Sequence, residues 1–273
     1  MVVVEITPKD DKGVVLHKYY LDGYLKANVD HMIKDVTKRN YDGFTLVVGR
    51  EGFGKSTITM QLAMYCDPTF NLDRVCFTAD QFREAVETAP KYSAIVFDET
   101  MGYLSARGAM SEFNRVLIKV MSEMRSKNLF VFLCIPNFFM MDWYVAQHRT
   151  TGLLYIRQRG RFGSYDYPTK KKLYRQGKKE HRYCVPPNFY GSFVKYFPLD
   201  EEDYEKKKQR AINDFTQEKN KNARRLKERN ILIYHIISRK LMEKKELSSI
   251  LGISTATIGQ IVKRISKIQG DEA

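Results

Sequence analysis

The sequence predicts an α/β fold in which a core with a parallel sheet precedes a small all-α C-terminal domain. Strand-like apolar runs alternate with helix-period segments, which is the pattern of βαβ units. Because these runs are continuously apolar, we expect strands buried on both faces of the sheet. Helical spacing of apolar residues returns at 231–268. The apolar runs lie at 44–48, 74–78, 93–97, 129–135 and 153–156.

Within the predicted core, residues 44–160, segments with helical periodicity lie between successive apolar runs. These helical segments lie at 55–66, 79–89, 110–126 and roughly 139–148. Residues 1–43 are expected to flank the core with an entry strand at Val2–Ile6, a turn, and a helix around Leu21–Arg39.

The amino-acid composition of the chain changes after residue 160. Residues 161–197 are aromatic, basic and rich in turn residues, which predicts hairpins or an extended basic arm. Residues 198–230 carry Asp and Glu first and Lys and Arg later, the order that suits the helix dipole. Because few apolar residues recur at helical spacing in this segment, it is predicted to be a charged helical linker. The last domain is predicted at 231–273.

The charge of the chain is unevenly divided. Residues 1–150 hold 18 Lys and Arg and 18 Asp and Glu, whereas residues 151–273 hold 28 and 14. The whole excess of +14 therefore lies in the C-terminal part. Such a division indicates a neutral part joined to a part that meets a polyanion. A solubilising basic tail is the alternative interpretation.

Cysteine and hydropathy patterns bear on the compartment. The four cysteines form no C-x-x-C pair, which favours buried free thiols in a reducing compartment. The five histidines lack ligand spacing, so no zinc site is expected. The longest apolar run, 129–141, is too short for a membrane span and contains Pro136. No signal peptide is visible, and we expect a soluble cytoplasmic protein without membrane contact.

The clearest motif is G-x-x-x-x-G-K-[ST], matched at Gly49, Gly54, Lys55 and Ser56 between a predicted strand and a helix. Glycines let backbone N–H groups turn toward phosphate oxygens at a helix N-terminus. Lys55 supplies a charge to the β- and γ-phosphates, and the Ser56 hydroxyl can ligate Mg²⁺. The motif predicts binding of ATP and Mg²⁺ by Gly49, Arg50, Glu51, Gly52, Phe53, Gly54, Lys55, Ser56 and Thr57.

A phosphate-binding loop of this kind needs a carboxylate at the end of a second buried strand. The stretch AIVFDET supplies Asp98 and Glu99 there. Asp98 is expected on the metal side, and Glu99 is expected to polarise the attacking water as general base. The second acid favours hydrolysis over transfer to another acceptor.

Two further residues are candidates for the catalytic set. Asn137 ends the apolar run at 129–135 and is expected to contact the γ-phosphate or the lytic water. Arg125 ends the preceding helix; we expect it near the carboxyl ends of the strands, as an arginine finger for a neighbouring subunit. A helix-end cation that pairs with carbonyls is the alternative for Arg125. Arg149 and Arg107 are the other candidates for the finger.

Together these motifs resemble the additional-strand P-loop ATPases, and within them the HerA–FtsK class of DNA-pumping motors. That class includes viral genome-packaging and conjugation ATPases. The resemblance covers residues 44–157. It implies that Lys55, Ser56, Asp98 and Glu99 occupy the nucleotide positions. It also implies that Arg125 and Asn137 occupy the positions of the arginine and the polar sensor that flank one strand.

The stretch KKELSSILGISTATIGQIVKRI, residues 244–265, has helix–turn–helix spacing. Leu247, Ile250 and Leu251 are expected to form the apolar face of the first helix, and Ser254 is expected to cap the second. Inward-facing Ile258, Ile261 and Val262 leave a set of exposed residues for a DNA groove. The predicted DNA-binding residues are Thr255, Ala256, Thr257, Gln260 and Lys263. A helical oligomerisation or docking domain is the alternative.

These observations predict a Mg²⁺-dependent ATP hydrolase that acts on DNA, as an oligomeric motor of the DNA-translocating or genome-packaging type. A ring is expected, since an arginine that acts in trans needs a neighbouring subunit. A nucleotide-gated DNA-binding regulator that does not translocate is the second hypothesis. A third is an ATPase that docks protein partners through a helical tail. Residues 157–197 either track phosphates and stack on bases or form an ordinary packed hairpin face.

Overall fold

The computed structural model of the chain describes residues 2–6, 17–98 and 109–270. It divides into two compact units, Met1–Ile212 and Asn213–Ala273. Each unit is described by itself. The helix α6, Glu201–Ser238, contributes its first turns to the first unit and its remainder to the second.

Nine strands occur in the part of the chain that the structure describes. They are β1 (Val2–Ile6), β2 (His17–Leu21), β3 (Gly43–Gly49), β4 (Val75–Cys76), β5 (Ala94–Asp98), β6 (Phe130–Ile135), β7 (Gly152–Gln158), β8 (Arg161–Tyr165) and β9 (Phe189–Ser192). Strands β1 and β2 form an antiparallel pair. The other strands form one sheet in the order β4-β5-β6-β3-β7-β8-β9.

The α-helices in the described residues are α1 (Gly23–Lys38), α2 (Lys55–Cys66), α3 (Ala79–Thr88), α4 (Ala109–Ser126), α5 (Tyr167–Gly177), α6 (Glu201–Ser238), α7 (Lys244–Leu251) and α8 (Thr255–Gly270). Short 3₁₀ turns occur at Leu72–Arg74 and Phe138–Met140, and a π-helical turn occurs at Val145–Arg149. The two turns after β6 replace the α-helix expected at roughly 139–148.

The prediction of an α/β fold with a mostly parallel central sheet is confirmed. The five apolar runs of the sequence are β3 to β7, and these strands pair in parallel, whereas β8 and β9 add on in antiparallel. Gly43 pairs with Phe130, and Ala94 also pairs with Phe130, so β3, β5 and β6 begin level with one another. Their carboxyl ends therefore meet at one side of the sheet.

The central strands are buried along their whole length because helices cover both faces. Every residue of β3, β5 and β6 is buried. One face packs against α3 and α4 through residues such as Phe82 and Phe113. The other face packs against α1 and α2 through residues such as Val29 and Ile58. This explains why the strand sequences are continuously apolar instead of alternating.

Segment 161–197 differs from the expectation of hairpins or an extended arm. Strand β8 does pair with β7 as a hairpin, but the segment also contains α5, which begins at an Asp166 N-cap with Pro168 in its first turn. Leu173 and Tyr174 of α5 are buried in the core of the first unit.

Near the N-terminus, strand β2, His17–Leu21, lies where the sequence predicted only a turn.

In the second unit, the end of α6 packs with α7 and α8 around the buried residues Ile233, Leu247 and Ile258. Ser254 Oγ accepts a hydrogen bond of 3.1 Å from the Thr257 backbone N–H, which confirms the expected cap. Gly252 ends α7 in the left-handed conformation. Of the three residues expected on the apolar face of α7, Leu247 is buried, whereas Ile250 and Leu251 are 64% and 38% exposed.

The prediction of buried free thiols holds for three of the four cysteines. All four cysteines are free thiols: Cys66, Cys76 and Cys134 are buried, whereas Cys184 is exposed, contrary to the expectation of burial. Among the described helices, none combines the length and apolar composition that crossing a membrane requires.

Lys170 of α5 is fully buried. Its Nζ donates hydrogen bonds to Ala146 O at 2.7 Å, Thr150 O at 2.6 Å and Thr150 Oγ1 at 2.7 Å, which caps the end of the π-helical turn. Burial lowers the pKa of Lys170 to about 7.

We expect the free energy of unfolding to rise with pH between about 7 and the ordinary lysine value of 10.5. In that range the unfolded chain keeps the Lys170 proton and the folded chain releases it. The slope from this residue is at most about 1.4 kcal/mol per pH unit. Denaturant unfolding of the wild type and of Lys170→Met across this range measures it. A stability difference between the two proteins that stays constant with pH would contradict the prediction.

Candidate functional site

The loop between β3 and α2 is shaped by glycines in left-handed conformations. Gly49 has φ of +148° and Gly54 has φ of +91°. A Cβ at Gly49 would lie 2.5 Å from the carbonyl oxygen of Ile156, and one at Gly54 would lie 3.0 Å from the ring of Phe193. Neither position accommodates a larger residue without a shift of its neighbours. The two glycines of the motif are therefore required by the backbone path of the loop.

Helix α2 starts directly at the loop, with Gly54 as its N-cap and no side chain bonded to its first turn. The first backbone N–H groups of a helix have no partner within the helix. In α2 these groups belong to Lys55, Ser56 and Thr57, and all three residues line the adjoining cleft. The positive end of the helix dipole and these donors make an anion site.

The Lys55 side chain folds back across the loop. Its Nζ donates to the carbonyl oxygens of Gly49 at 2.9 Å and of Arg50 at 3.2 Å. The ammonium charge is therefore held beside the loop backbone. Arg159, from the turn after β7, also contacts the loop, with its Nε donating to Gly52 O at 2.8 Å.

Asp98, the last residue of β5, faces the start of α2 and is only 3% exposed. Its Oδ2 accepts a hydrogen bond of 2.5 Å from the Tyr204 hydroxyl, and Ser56 lines the same cleft. Burial raises the pKa of Asp98, and the side chains of Ser56 and Tyr204 and the charges of Lys208 and Lys55 oppose that rise. The structure thus brings together Ser56 and Asp98, the two predicted metal-side residues.

A cleft of about 800 Å³ opens at this point, at the carboxyl ends of the strands. One side is formed by loop residues Glu51–Thr57, and Asp98 and Pro136 lie at the ends of the strands. Such a volume is typical of small-molecule sites. The opposite wall comes from Phe193, Lys195, Phe197 and the first turns of α6, namely Glu201, Tyr204, Glu205 and Lys208.

Sequence reasoning missed this opposite wall. Arg159, Lys195, Tyr204 and Lys208 follow the loop by more than a hundred residues and have no fixed spacing to it. The sequence predicts a basic arm for the segment that holds Lys195 and a linker for the segment that holds Tyr204 and Lys208. The one signal in the sequence was the aromatic and basic pairing in FVKYF at 193–197, which indicates a surface that could meet an anion.

The remaining predicted catalytic residues are not assembled in the cleft. Glu99 lies outside the described residues. Asn137 follows β6, but its Oδ1 accepts a hydrogen bond of 3.0 Å from the Phe139 backbone N–H, which caps the 3₁₀ turn. Pro136, not Asn137, is the residue of this segment that lines the cleft. A role for Asn137 at the γ-phosphate stays a prediction.

The prediction that Arg125 lies near the carboxyl ends of the strands is wrong. Arg125 sits at the end of α4, just before β6 begins, because a helix that precedes a parallel strand ends where that strand starts. It is exposed and lines a second cleft, of about 620 Å³, with Asp42 and Gly152 at the amino ends of β3 and β7. Arg125 and the loop of the same chain are therefore at opposite ends of the strands.

The other candidate arginines differ from Arg125. Arg149 Nη2 donates to Asp42 Oδ2 at 2.8 Å and to the carbonyl oxygen of Met121 at 3.3 Å. Both partners of this ion pair are largely buried, with side chains 16% and 10% exposed. Arg149 thus has a structural role in its own chain. Arg107 lies outside the described residues.

In the second unit, the five predicted DNA-binding residues are exposed on α8. They are Thr255, Ala256, Thr257, Gln260 and Lys263. Thr257 and Gln260 also line a shallow groove between α8 and residues 223–230 of α6.

The described residues were compared with the requirements of a metal site, and the chain with known proteins. In the ranges 2–6, 17–98 and 109–270, no three His, Cys, Asp or Glu residues are grouped to hold a metal ion by themselves. No protein-family model matches the chain, and no curated protein is similar to it in sequence.

We expect Gly49→Ala to lower the free energy of unfolding by about 1–3 kcal/mol and to weaken binding of a fluorescent ATP analogue, because its Cβ collides with the backbone of β7. Urea denaturation and a binding titration measure both effects. Gly152→Ala is the matched control in the same sheet, since its Cβ would lie 3.8 Å from the nearest atom, the Tyr165 carbonyl oxygen. Equal effects of the two substitutions would contradict the prediction.

Proposed function

We propose that the protein is a Mg²⁺-dependent ATP hydrolase that acts on DNA. The observation that carries the proposal is the placement of Ser56 and Asp98 in one cleft, beside a glycine-shaped loop at a helix N-terminus. A hydroxyl on the first turn of the helix and a carboxylate at the end of a neighbouring strand are the two protein groups that hold Mg²⁺ in P-loop sites.

The residues of the cleft fit a magnesium–nucleotide complex. Backbone N–H groups at the start of α2 and the Lys55 ammonium supply donors for phosphate oxygens. Ser56 and Asp98 would hold Mg²⁺, which neutralises charge on the phosphates when bound. Mg²⁺ is usually held by one or two protein ligands together with phosphates and water, which agrees with the small number of acidic groups here.

The order of the strands supports the resemblance to the additional-strand ATPases. Strand β6 lies between β3, which leads into the loop, and β5, which ends in Asp98. A strand inserted between these two is the feature that gives the class its name. Within the proposal, Glu99, the residue after Asp98, is the general base for water. Asn137 at the end of β6 is the polar sensor.

The assignment to DNA depends on charge and on the second unit. The excess of +14 lies wholly in residues 151–273. The helices α7 and α8 carry the helix–turn–helix pattern, with Ser254 capping α8 and five candidate contact residues exposed on it. In such modules the start of the second helix contacts base edges in the major groove. We assign that role to α8.

The oligomeric ring enters the proposal through the arginine finger. Arg125 is exposed at the amino ends of the strands, away from the loop of its own chain, so a role at a nucleotide would require a neighbouring subunit. An arginine supplied in trans stabilises charge on the transferred phosphate. We retain Arg125 as the finger, because Arg149 is bonded to Asp42 in its own chain.

The second candidate function is a nucleotide-gated DNA-binding regulator that does not translocate. The compact helical unit around Leu247 and Ile258 favours it, since a helix that reads base edges serves a protein that stays at one sequence. The dependence of the ATPase rate on DNA length separates the two functions. A translocase shows a rate that grows with length, and a static switch shows none.

We expect duplex DNA to stimulate ATP hydrolysis and Lys55→Ala to reduce turnover by at least about a hundredfold, because the charge on the phosphates is lost. Phosphate release measures both in the full-length protein. Lys91→Ala, at an exposed turn distant from the loop in the sequence, is the control and should retain the rate. An ATPase rate that DNA leaves unchanged would exclude the motor function.

We expect Lys263→Ala to weaken DNA binding and to reduce the slope of log K against log salt by about 1, because one phosphate contact is lost. Fluorescence anisotropy at several salt concentrations measures the slope. Lys91→Ala again serves as the charge-matched control, since it lies in the first unit. If Lys263→Ala and Lys91→Ala lower the slope equally, α8 does not carry the DNA contact.

A further inference from the structure

The first turns of α6 close one side of the nucleotide cleft. Glu201, Tyr204, Glu205 and Lys208 recur at the three- and four-residue spacing that puts side chains on one face of a helix, and all four line the cleft. Nothing in the phosphate-binding motif requires a helix here. The wall brings two carboxylates toward a cleft that is proposed to hold a triphosphate.

Tyr204 is the most constrained residue of this wall. Its hydroxyl donates to Asp98 Oδ2 at 2.5 Å, and both residues are 3% exposed. Its ring is held between Phe77 and Phe197, with centroid distances of 5.5 Å and 4.9 Å. Ser56 lines the cleft beside these two residues. Asp98 and Tyr204 thus form a buried hydrogen-bonded pair next to Ser56.

This pair includes the carboxylate that the proposed function needs for magnesium. Mg²⁺ demands near-octahedral oxygen ligands at about 2.0–2.1 Å and keeps several of its waters. The Tyr204 hydroxyl takes up one lone pair of Asp98 Oδ2, and the buried phenol fills the space beside that oxygen. The hydroxyl of Tyr204 and a magnesium-bound water therefore compete for the position next to Asp98 Oδ2.

Resting on the proposed function, we propose that Tyr204 gates the magnesium position of the nucleotide site. In the nucleotide-free protein it holds Asp98 in a closed arrangement, and it releases Asp98 when the magnesium–nucleotide complex binds. The apparent affinity for that complex is then reduced by the fraction of molecules in which the gate is closed. Nucleotide without magnesium does not need Asp98 and is not affected in this way.

The neighbouring contacts indicate what release involves. Lys207 Nζ donates to the carbonyl oxygen of Leu72 at 2.8 Å, and Ala211 is buried. The turns of α6 that follow Tyr204 are therefore attached to the rest of the first unit. The Tyr204 backbone N–H donates to Asp200 O at 3.1 Å. Because the aromatic rings on either side leave the Tyr204 ring little freedom, release of Asp98 moves the first turn of α6 itself.

Removal of one hydroxyl tests the gate. In full-length Tyr204→Phe, the affinity for a fluorescent ATP analogue with Mg²⁺ should rise by about tenfold, because a hydrogen bond to a buried carboxylate no longer has to be broken. The affinity for the same analogue in EDTA should not change. A gain in both conditions, no change, or a loss with Mg²⁺ would overturn the proposal.

Tyr65→Phe is the matched control. The Tyr65 hydroxyl also donates to an aspartate, Asp30 Oδ1, at 2.5 Å, but it lies on the far part of α2 and does not line the cleft. It should leave both affinities unchanged. Wild-type protein that binds the analogue in neither condition would refute the proposed function itself, an outcome distinct from a failure of the gate.

A measurement on the wild type keeps the test independent of the variant's folding. Hydrogen exchange of the backbone amides at 204–208 should accelerate when the non-hydrolysable analogue and Mg²⁺ are added together, and not when the analogue is added in EDTA. Unchanged or slower exchange with Mg²⁺ would show that Tyr204 remains bonded to Asp98, and the proposal would fail.

Discussion

The hydrogen-bonded carboxylate of Asp98 joins the parts of the first unit that form the cleft. It ends strand β5, lines the cleft together with Ser56 at the start of α2, and accepts a hydrogen bond from Tyr204 of α6. A buried carboxylate is costly unless its oxygens are paired. The demand for partners therefore fixes where α6 begins relative to the sheet.

The loop beside Asp98 is held in place by contacts with its own neighbours. The sheet sets its path, since the backbone of Gly49 lies against Ile156 on the neighbouring strand, where a side chain has no room. The Lys55 ammonium donates hydrogen bonds to two carbonyl oxygens of the loop. An anion that enters then replaces carbonyl partners of Lys55 and needs no refolding of the loop, so little binding energy is spent on ordering it.

The sequence was most informative where local pattern and tertiary contact agree. The bounds of α2 are the predicted 55–66, because the glycine loop and the apolar stretch act on the same residues. Helix α5 was missed because one of its buried positions is Lys170, which interrupts the apolar stripe. Tyr204 could not be predicted, since its partner Asp98 is distant in sequence and a buried tyrosine is ordinarily part of a core.

The outermost strands of the sheet have a consequence for assembly. In the described part of the chain, β4 has two residues and β9 has four, and these strands end the sheet on either side. Short outer strands offer few backbone groups to a strand from another molecule, a common protection against uncontrolled sheet extension. In the proposed ring, contacts between subunits would accordingly be made by side chains and loops and not by extension of the sheet.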